Sequence, residues 1–150
     1  MNTELITSPK FLVVVPYYTG GKWDGKNWIT LTKIVFTVNG ERYTIPAGFV
    51  TDFASIPAFA RVTINRIGKP VIAYIIHDWL RTNKDQVMPT KQCDKVLYKL
   101  SRDLGESWYT SKKVYYSLRS MGWVANVGDN KFSKVDPEVL KYICDSNNYQ

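Results

Sequence analysis

The dipeptide Asn39-Gly40 lies between two strand-like runs, Ile29–Val38 and Glu41–Pro46. Both residues tolerate positive φ, which the two-residue turn of a twisted β-hairpin requires. We therefore predict a hairpin here, with a register that follows by counting outward from the turn. The predicted cross-strand pairs, which turn one apolar face of the hairpin inward, are Phe36 with Tyr43 and Ile34 with Ile45.

Other strand-like segments lie on either side of this hairpin. Phe11–Tyr18 has the apolar character of a buried strand, and the glycines of Thr19–Lys22 indicate a turn after it. Phe59–Ile64 is a further candidate strand. Between the hairpin and this segment, small residues and prolines predict a tight loop that carries Asp52 and Ser55.

The second half of the sequence changes from strand to helix periodicity. Apolar residues recur every three or four positions, which is typical of amphipathic helices. Thr90 and Asp136 suit helix N-caps, and Gly105 suits the end of a helix. The predicted helices span about residues 70–83, 90–104, 110–122 and 136–144.

Strands in the first half followed by helices in the second predict an α+β fold. We expect an antiparallel sheet over about residues 11–64, with three to four helices packed on one of its faces. A chain of 150 residues has the length of one ordinary domain, so residues 1–150 are predicted to form a single domain.

Composition limits the class of protein. A net charge of +7 favours anionic partners such as a nucleotide or an acidic protein surface, but without a nucleic-acid-binding motif we do not expect sequence-specific recognition of nucleic acid. Cys93 and Cys144 lack the spacing of a metal-binding motif or a disulfide scaffold. The sequence also predicts no membrane span and no signal peptide.

The single histidine, His77, is followed by Asp78 on the first predicted helix. An apolar stripe covers about half of this helix, and both residues fall on the remaining side with Tyr74 and Arg81. One interpretation is a polar face that meets water. The other is a functional site, because adjacent histidine and aspartate are used as metal ligands in several classes of hydrolase.

Two further aspartates would complete such a site. Asp52 lies in the predicted loop, where it would otherwise only stabilise the turn, and Asp94 borders the apolar stripe of the second helix. If both converge on the histidine, the four side chains suit a divalent ion, Mg²⁺, Mn²⁺ or Fe²⁺ rather than a structural Zn²⁺, which would activate water for hydrolysis. The candidate metal ligands are Asp52, His77, Asp78 and Asp94.

A second arrangement uses a serine nucleophile. Ser55 would attack the substrate, His77 would act as its base, and an aspartate would orient the histidine, although no nucleophile-elbow sequence surrounds the serine. The candidate catalytic residues are Asp52, Ser55, His77 and Asp78.

Two motifs carry a resemblance to a known family. They are PAGFVTDFASIP at residues 46–57 and IHDWL at residues 76–80. Together they resemble a family of small bacteriophage and prophage proteins classed as a domain of unknown function, over about residues 44–122. The resemblance implies a phage origin and an aspartate in the following helix, which Asp94 supplies. The chain departs from the family pattern at Ala58 and Arg81.

The resemblance implies no established activity, so different classes of function remain open. The first is a non-catalytic protein of the virion or tail, or one that interacts with the host, in which the polar residues form a buried network. Its partners would be other virion proteins or an anionic host molecule, and its location the virion or the host cytoplasm. The second is a small metal-dependent hydrolase of a phosphoester, a cyclic nucleotide or a cell-wall bond. A third is an anti-defence protein that binds a nucleotide signal. The absence of a complete catalytic signature favours the first.

Overall fold

The computed structural model describes residues 2–7, 12–53, 71–83, 86–121, 135–138 and 141. The chain forms two compact units: Met1–Asp52 together with Lys131–Gln150, and Phe53–Asn130. The first unit carries the strands and the second carries three long helices. The predicted α+β fold class is therefore confirmed.

Two antiparallel sheets of three strands each make up the described part of the first unit. Their order is β1-β4-β5 in one sheet and β2-β3-β6 in the other. The strands are β1 (Thr3–Thr7), β2 (Val14–Thr19), β3 (Lys22–Thr30), β4 (Ile34–Val38), β5 (Glu41–Ile45) and β6 (Val50–Thr51).

The predicted hairpin is present as β4 and β5. Asn39 and Gly40 adopt φ angles of 52° and 84°, which a two-residue hairpin turn requires. The register is the predicted one, with Phe36 opposite Tyr43 and Ile34 opposite Ile45. Phe36 is fully buried, and its ring stacks on that of Tyr43 at 5.4 Å.

The prediction of one continuous strand over Ile29–Val38 is wrong, because the chain changes sheets within it. Ile29 pairs in the second sheet, whereas Ile34 pairs in the first. At the junction the amide of Leu31 donates to the carbonyl of Val13 at 2.9 Å. The apolar alternation changes phase here, from Ile29 and Leu31 to Ile34 and Phe36, but a change of phase does not show that the two parts belong to different sheets. The strand predicted over residues 11–18 likewise begins later, at residue 14.

Three of the predicted helices are present in the second unit, as α1 (Val71–Thr82), α2 (Thr90–Asp103) and α3 (Trp108–Met121). The middle helix, α2, packs against both of the others. No helix in the described ranges has the length and apolar character needed to cross a membrane.

The ends of α2 and the start of α3 show which capping predictions were correct. Gly105 has a φ of 92°, and its amide and that of Glu106 donate to the carbonyls of Arg102 and Ser101, the pattern of a Schellman motif. Thr90 is not the N-cap of α2, because that position falls on Pro89, which has no side-chain donor or acceptor. The third helix begins two residues earlier than predicted, at residue 108, after the hydroxyl of Ser107 caps the amide of residue 110 at 3.1 Å.

Some predicted elements lie outside the described residues. They include the candidate strand Phe59–Ile64, Ser55 and most of the fourth helix. Residues 137, 138 and 141 of that helix are helical. The amide of Glu138 donates to Asp136 Oδ1 at 3.0 Å, as expected for an aspartate N-cap.

Candidate functional site

One buried carboxylate joins the three helices of the second unit. Asp94 on α2 is fully buried, and its Oδ1 lies 2.8 Å from Nε2 of His77 on α1. Its Oδ2 accepts a hydrogen bond of 3.1 Å from Nη1 of Arg119 on α3. Arg81, one turn after His77, brings Nη1 to 4.0 Å from Oδ1. We call these four residues the Asp94 cluster.

The charge of Asp94 is set by opposing effects. Burial acts to raise the pKa of its carboxyl group, because a low-dielectric environment disfavours the charged form. The hydrogen bond and charge of His77, the hydrogen bond of Arg119 and the charge of Arg81 outweigh burial and hold this pKa below its usual range. Asp94 is therefore ionised at neutral pH, with both oxygens engaged by donors.

Within the described structure, Nε2 is the nitrogen of the His77 ring that has a hydrogen-bond partner. Because the carboxylate of Asp94 only accepts hydrogen bonds, Nε2 carries the proton in the pair. Nδ1 is buried, and no described group lies within hydrogen-bond distance of it. Only 4% of the side chain is exposed, so proton transfer between Nδ1 and a substrate would require the site to open.

The interpretation of a solvated polar face on α1 is wrong. Tyr74, His77 and Asp78 are all buried, with exposed fractions of 1–3%. Arg81 keeps 10% of its side chain exposed. The helix is thus enclosed on its polar side as well as on its apolar stripe. Burial of the histidine is tolerated because Asp94 supplies a hydrogen-bond partner, as buried polar groups require.

Asp52 belongs to the first unit and follows β6 directly. Its carboxylate is fully buried, and Oδ2 lies 3.7 Å from Nζ of Lys26, which is half exposed. The next residue, Phe53, has a positive φ of 61°. The convergence of Asp52 on His77 and Asp78 stays a prediction, and Ser55 lies outside the described residues.

A metal site would need several ligands around one point. Across the described ranges, no group of three or more His, Cys, Asp or Glu side chains is arranged to hold a metal ion. The oxygens of Asp94 are instead directed to His77 and Arg119. The predicted four-ligand site for Mg²⁺, Mn²⁺ or Fe²⁺ therefore stays a prediction without support from the described residues.

The helical unit also carries an open groove of about 220 Å³, formed by side chains of α2 and α3. We call it the Tyr–Lys groove. The rings of Tyr98 and Tyr115 meet edge to face across the two helices at 6.0 Å, and those of Tyr115 and Tyr116 meet at 5.4 Å. Tyr116 is 60% exposed. The lining residues are Lys95, Tyr98, Lys112, Tyr115 and Tyr116.

Two of the residues that line the groove are the lysines Lys95 and Lys112. No carboxylate of the described residues forms an ion pair with Lys95 or Lys112. Nζ of Lys112 lies 4.5 Å from the ring centre of Trp108, a cation–π arrangement that orients the ammonium group. Seven basic and three acidic side chains occur between residues 90 and 121, and one of the acids is the buried Asp94. The groove therefore lies in a positively charged surface.

Sequence reasoning identified His77 and Asp94 but missed both Arg119 and the groove. A signal for the groove was present in the spacing of its residues. Tyr98 follows Lys95 by three positions, and Tyr115 follows Lys112 by three, so each pair lies on one helix face outside the apolar stripe. The apolar stripe of each helix indicates only its buried face. Nothing in the sequence pairs Arg119 with Asp94, because that contact depends on how α2 and α3 pack.

Comparison with known proteins matches the central part of the chain to a family model. The model is described as a protein of unknown function (DUF1353) and matches residues 29–118. This range contains the hairpin, His77, Asp94 and all five groove residues, and it ends one residue before Arg119. No curated protein and no solved structure matches the chain.

Proposed function

We propose that this chain, which belongs to the DUF1353 family of proteins of unknown function, is a non-catalytic protein that binds a nucleotide-bearing anionic ligand in the Tyr–Lys groove. The observation that carries the proposal is the presence of three tyrosine rings and two lysines in one open groove. We further propose a phage or prophage origin, which rests on the PAGFVTDFASIP and IHDWL motifs, and an anionic ligand from the host.

The chemistry of the groove favours a nucleotide over a simple anion. Nucleobases stack on exposed aromatic rings, and each stacked base contributes about 1–3 kcal/mol in proteins that bind single strands. Lysine ammonium groups attract phosphate without demanding one geometry. Tyr116 offers the exposed ring, while Lys95 and Lys112 offer the charges. A simple anion would interact with the two lysines but would make no stacking contact with the tyrosine rings.

The Asp94 cluster supports a non-catalytic protein. Both oxygens of Asp94 are engaged, and His77 is enclosed, so neither group is presented to a substrate. A hydrolase needs a base or a metal-activated water within reach of the bond that it cleaves. The cluster instead joins α1, α2 and α3, the helices whose side chains form or support the groove.

Fluorescence anisotropy with ribose-labelled ADP tests the proposal. We expect saturable binding that Tyr116→Ala weakens about tenfold, because loss of one stacked base removes roughly 1.4 kcal/mol. Tyr18→Ala is the matched control: Tyr18 is 62% exposed, close to the 60% of Tyr116, but it lies on β2 in the first unit. This control should bind ADP as the unaltered chain does.

Two outcomes would count against the proposal. One is the absence of saturable ADP binding at low ionic strength, where electrostatic attraction is strongest. The other is an equal loss of affinity in Tyr116→Ala and Tyr18→Ala. Far-UV circular dichroism of both variants should first establish that the helices are intact.

A further inference from the structure

Basic residues lie on both sides of the aromatic centre of the Tyr–Lys groove. On α3, Lys112 lies about one turn before Tyr115, and Arg119 lies about one turn after it. The three side chains therefore follow one line along the helix. Tyr98 of α2 meets the middle of this line through its contact with Tyr115. The order along the surface is basic, aromatic, basic.

The contact with Asp94 fixes the position of Arg119 but leaves part of its guanidinium group exposed. A guanidinium group has five N–H donors, and in the described structure one of them, on Nη1, donates to Asp94 Oδ2 at 3.1 Å. The side chain remains 32% exposed. An arginine fixed by a buried carboxylate loses less conformational entropy when its other donors bind a phosphate.

Lys112 is oriented at the opposite end by Trp108. The ammonium group lies 4.5 Å from the indole ring centre, and the indole itself is 55% exposed. Both basic ends of the line are therefore positioned before any ligand binds. They lie seven residues apart on α3, which corresponds to about 10 Å along the helix axis.

A free mononucleotide does not match this arrangement. All of its phosphates are on one side of its base, so a base stacked at the centre leaves one basic end unused. An internal nucleotide of a strand has a phosphate on each side. The groove volume of about 220 Å³ is also smaller than the roughly 300–1,000 Å³ typical of sites that enclose a whole small-molecule ligand. This volume favours one base in the groove, with the backbone on either side of it along the surface.

We infer that the ligand of the Tyr–Lys groove is a single-stranded polynucleotide, with one base on the tyrosines and the flanking phosphates at Lys112 and at Arg119 with Lys95. The inference rests on the proposed function and specifies its ligand class. Recognition of this kind is independent of base sequence, because every base has a face that stacks and every backbone unit has a phosphate. It is consistent with the absence of a sequence-reading motif.

Competition between two ligands of similar composition tests the arrangement of phosphates. A fluorescein-labelled oligothymidylate of eight nucleotides is bound, and then displaced with thymidine 3′,5′-bisphosphate or with thymidine 5′-diphosphate. Both competitors carry two phosphates, but only the bisphosphate carries one on each side of the base. We expect the bisphosphate to compete at least about tenfold better, and the unlabelled oligomer to compete better still.

In the same assay, the dependence of oligomer affinity on salt concentration gives the number of phosphate contacts. For single strands the slope of log K against log salt concentration is about −0.7 for each phosphate neutralised. Lys112→Gln and Lys95→Gln should each make the slope shallower by up to this amount. Lys33→Gln is the matched control, because Lys33 is an exposed lysine of the first unit, outside the groove. Arg119→Lys keeps a positive charge beside Asp94 at the other end of the line, so this variant should leave the slope unchanged.

The outcomes separate the two proposals. If the diphosphate competes as well as the bisphosphate and the oligomer, the polynucleotide inference fails, whereas nucleotide binding stands. If no thymidine nucleotide or oligomer binds, and labelled ADP does not bind either, both fail. If an eight-base-pair duplex competes as well as the single strand, binding is electrostatic without stacking, and the inference fails. An oligouridylate of the same length should compete like the oligothymidylate, because the groove contacts place no requirement on the sugar.

Discussion

His77 and Asp94 lie 17 positions apart in the sequence and are joined by a hydrogen bond of 2.8 Å inside the helical unit. The bond connects α1 to α2, and Arg119 extends the connection to α3. A buried, ionised carboxylate without partners would lower the stability of the folded chain by several kcal/mol. The ionisation of Asp94 therefore depends on the packing that brings His77 and Arg119 to it, and this packing is in turn stabilised by the charge. A change at Asp94 should therefore act on the whole helical unit.

Asp94→Asn removes the charge and keeps the shape of the side chain. It leaves Arg119 and Arg81 without their anion, and we expect the free energy of unfolding to fall by about 3 kcal/mol or more. Urea unfolding followed by the helical signal at 222 nm measures it. Asp103→Asn is the matched control, because Asp103 pairs with Lys99 on the exposed side of the same helix. A pair of this kind contributes less than about 1 kcal/mol.

Equal shifts of the unfolding midpoint in Asp94→Asn and Asp103→Asn would contradict the structural role of the cluster. If the dependence of the unfolding free energy on urea concentration differs greatly between the variants, the substitution has changed the denatured state. The midpoints should then be compared by a second spectroscopic signal, such as tryptophan fluorescence.

The lowered pKa of Asp94 predicts how the stability of the unit depends on pH. Because the pKa is lower in the folded chain than in the unfolded chain, where it is about 3.9, protonation favours unfolding. The stabilisation is fully present above the unfolded pKa and is lost as the pH falls through the folded pKa. The stability difference between the unaltered chain and Asp94→Asn should therefore be smaller at pH 3 than at pH 5. A difference that stays constant down to pH 3 would contradict this.

Gly105 controls the turn between α2 and α3. Its φ of 92° is costly for a residue with a Cβ atom, so Gly105→Ala should destabilise the unit by about 1–2 kcal/mol. Asparagine tolerates positive φ better than alanine does, so Gly105→Asn should destabilise the unit less than Gly105→Ala. Thermal unfolding of the two variants gives the comparison. Equal melting temperatures would show that the turn relaxes without affecting the helices.

The thiol of Cys93 should be protected by packing. Cys93 is fully buried on α2, and a buried thiol reacts slowly with a water-soluble disulfide reagent. In a Cys144→Ser background, we expect Cys93 to react with DTNB only after unfolding in urea. Adding Ser120→Cys introduces a thiol at an exposed position of α3, which should react within the native chain. Rapid native reaction of Cys93 itself would show that the helical unit opens readily.

Local features of this chain could be predicted from the sequence, and contacts between elements could not. The hairpin register follows from Asn39-Gly40 because the turn itself fixes it. The helices follow from periodicity, and Gly105 marks the end of α2. By contrast, the change of phase in the apolar pattern between Ile29 and Ile34 indicates a break in the strand, but it does not show that the chain passes from one sheet to the other.

The same distinction applies to the candidate site. His77 and Asp94 stand out in the sequence as polar residues beside apolar stripes, and the structure joins them by a hydrogen bond. The partner Arg119 was one basic residue among twenty, with nothing in its local sequence to select it. A salt bridge between helices depends on their packing angle and axial shift, which arise from the interdigitation of many side chains. Residue spacing within one helix carries no information about either quantity.

The two walls of the Tyr–Lys groove come from helices separated by only the four residues 104–107. Helical hairpins of such low contact order fold rapidly, since little loop entropy is lost when their side chains meet. All five side chains that line the groove are thus encoded in one short continuous stretch of about thirty residues. Substitutions elsewhere in the chain leave the spacing of these rings and charges along the sequence unchanged, so the proposed ligand preference and the rest of the sequence are free to evolve at different rates.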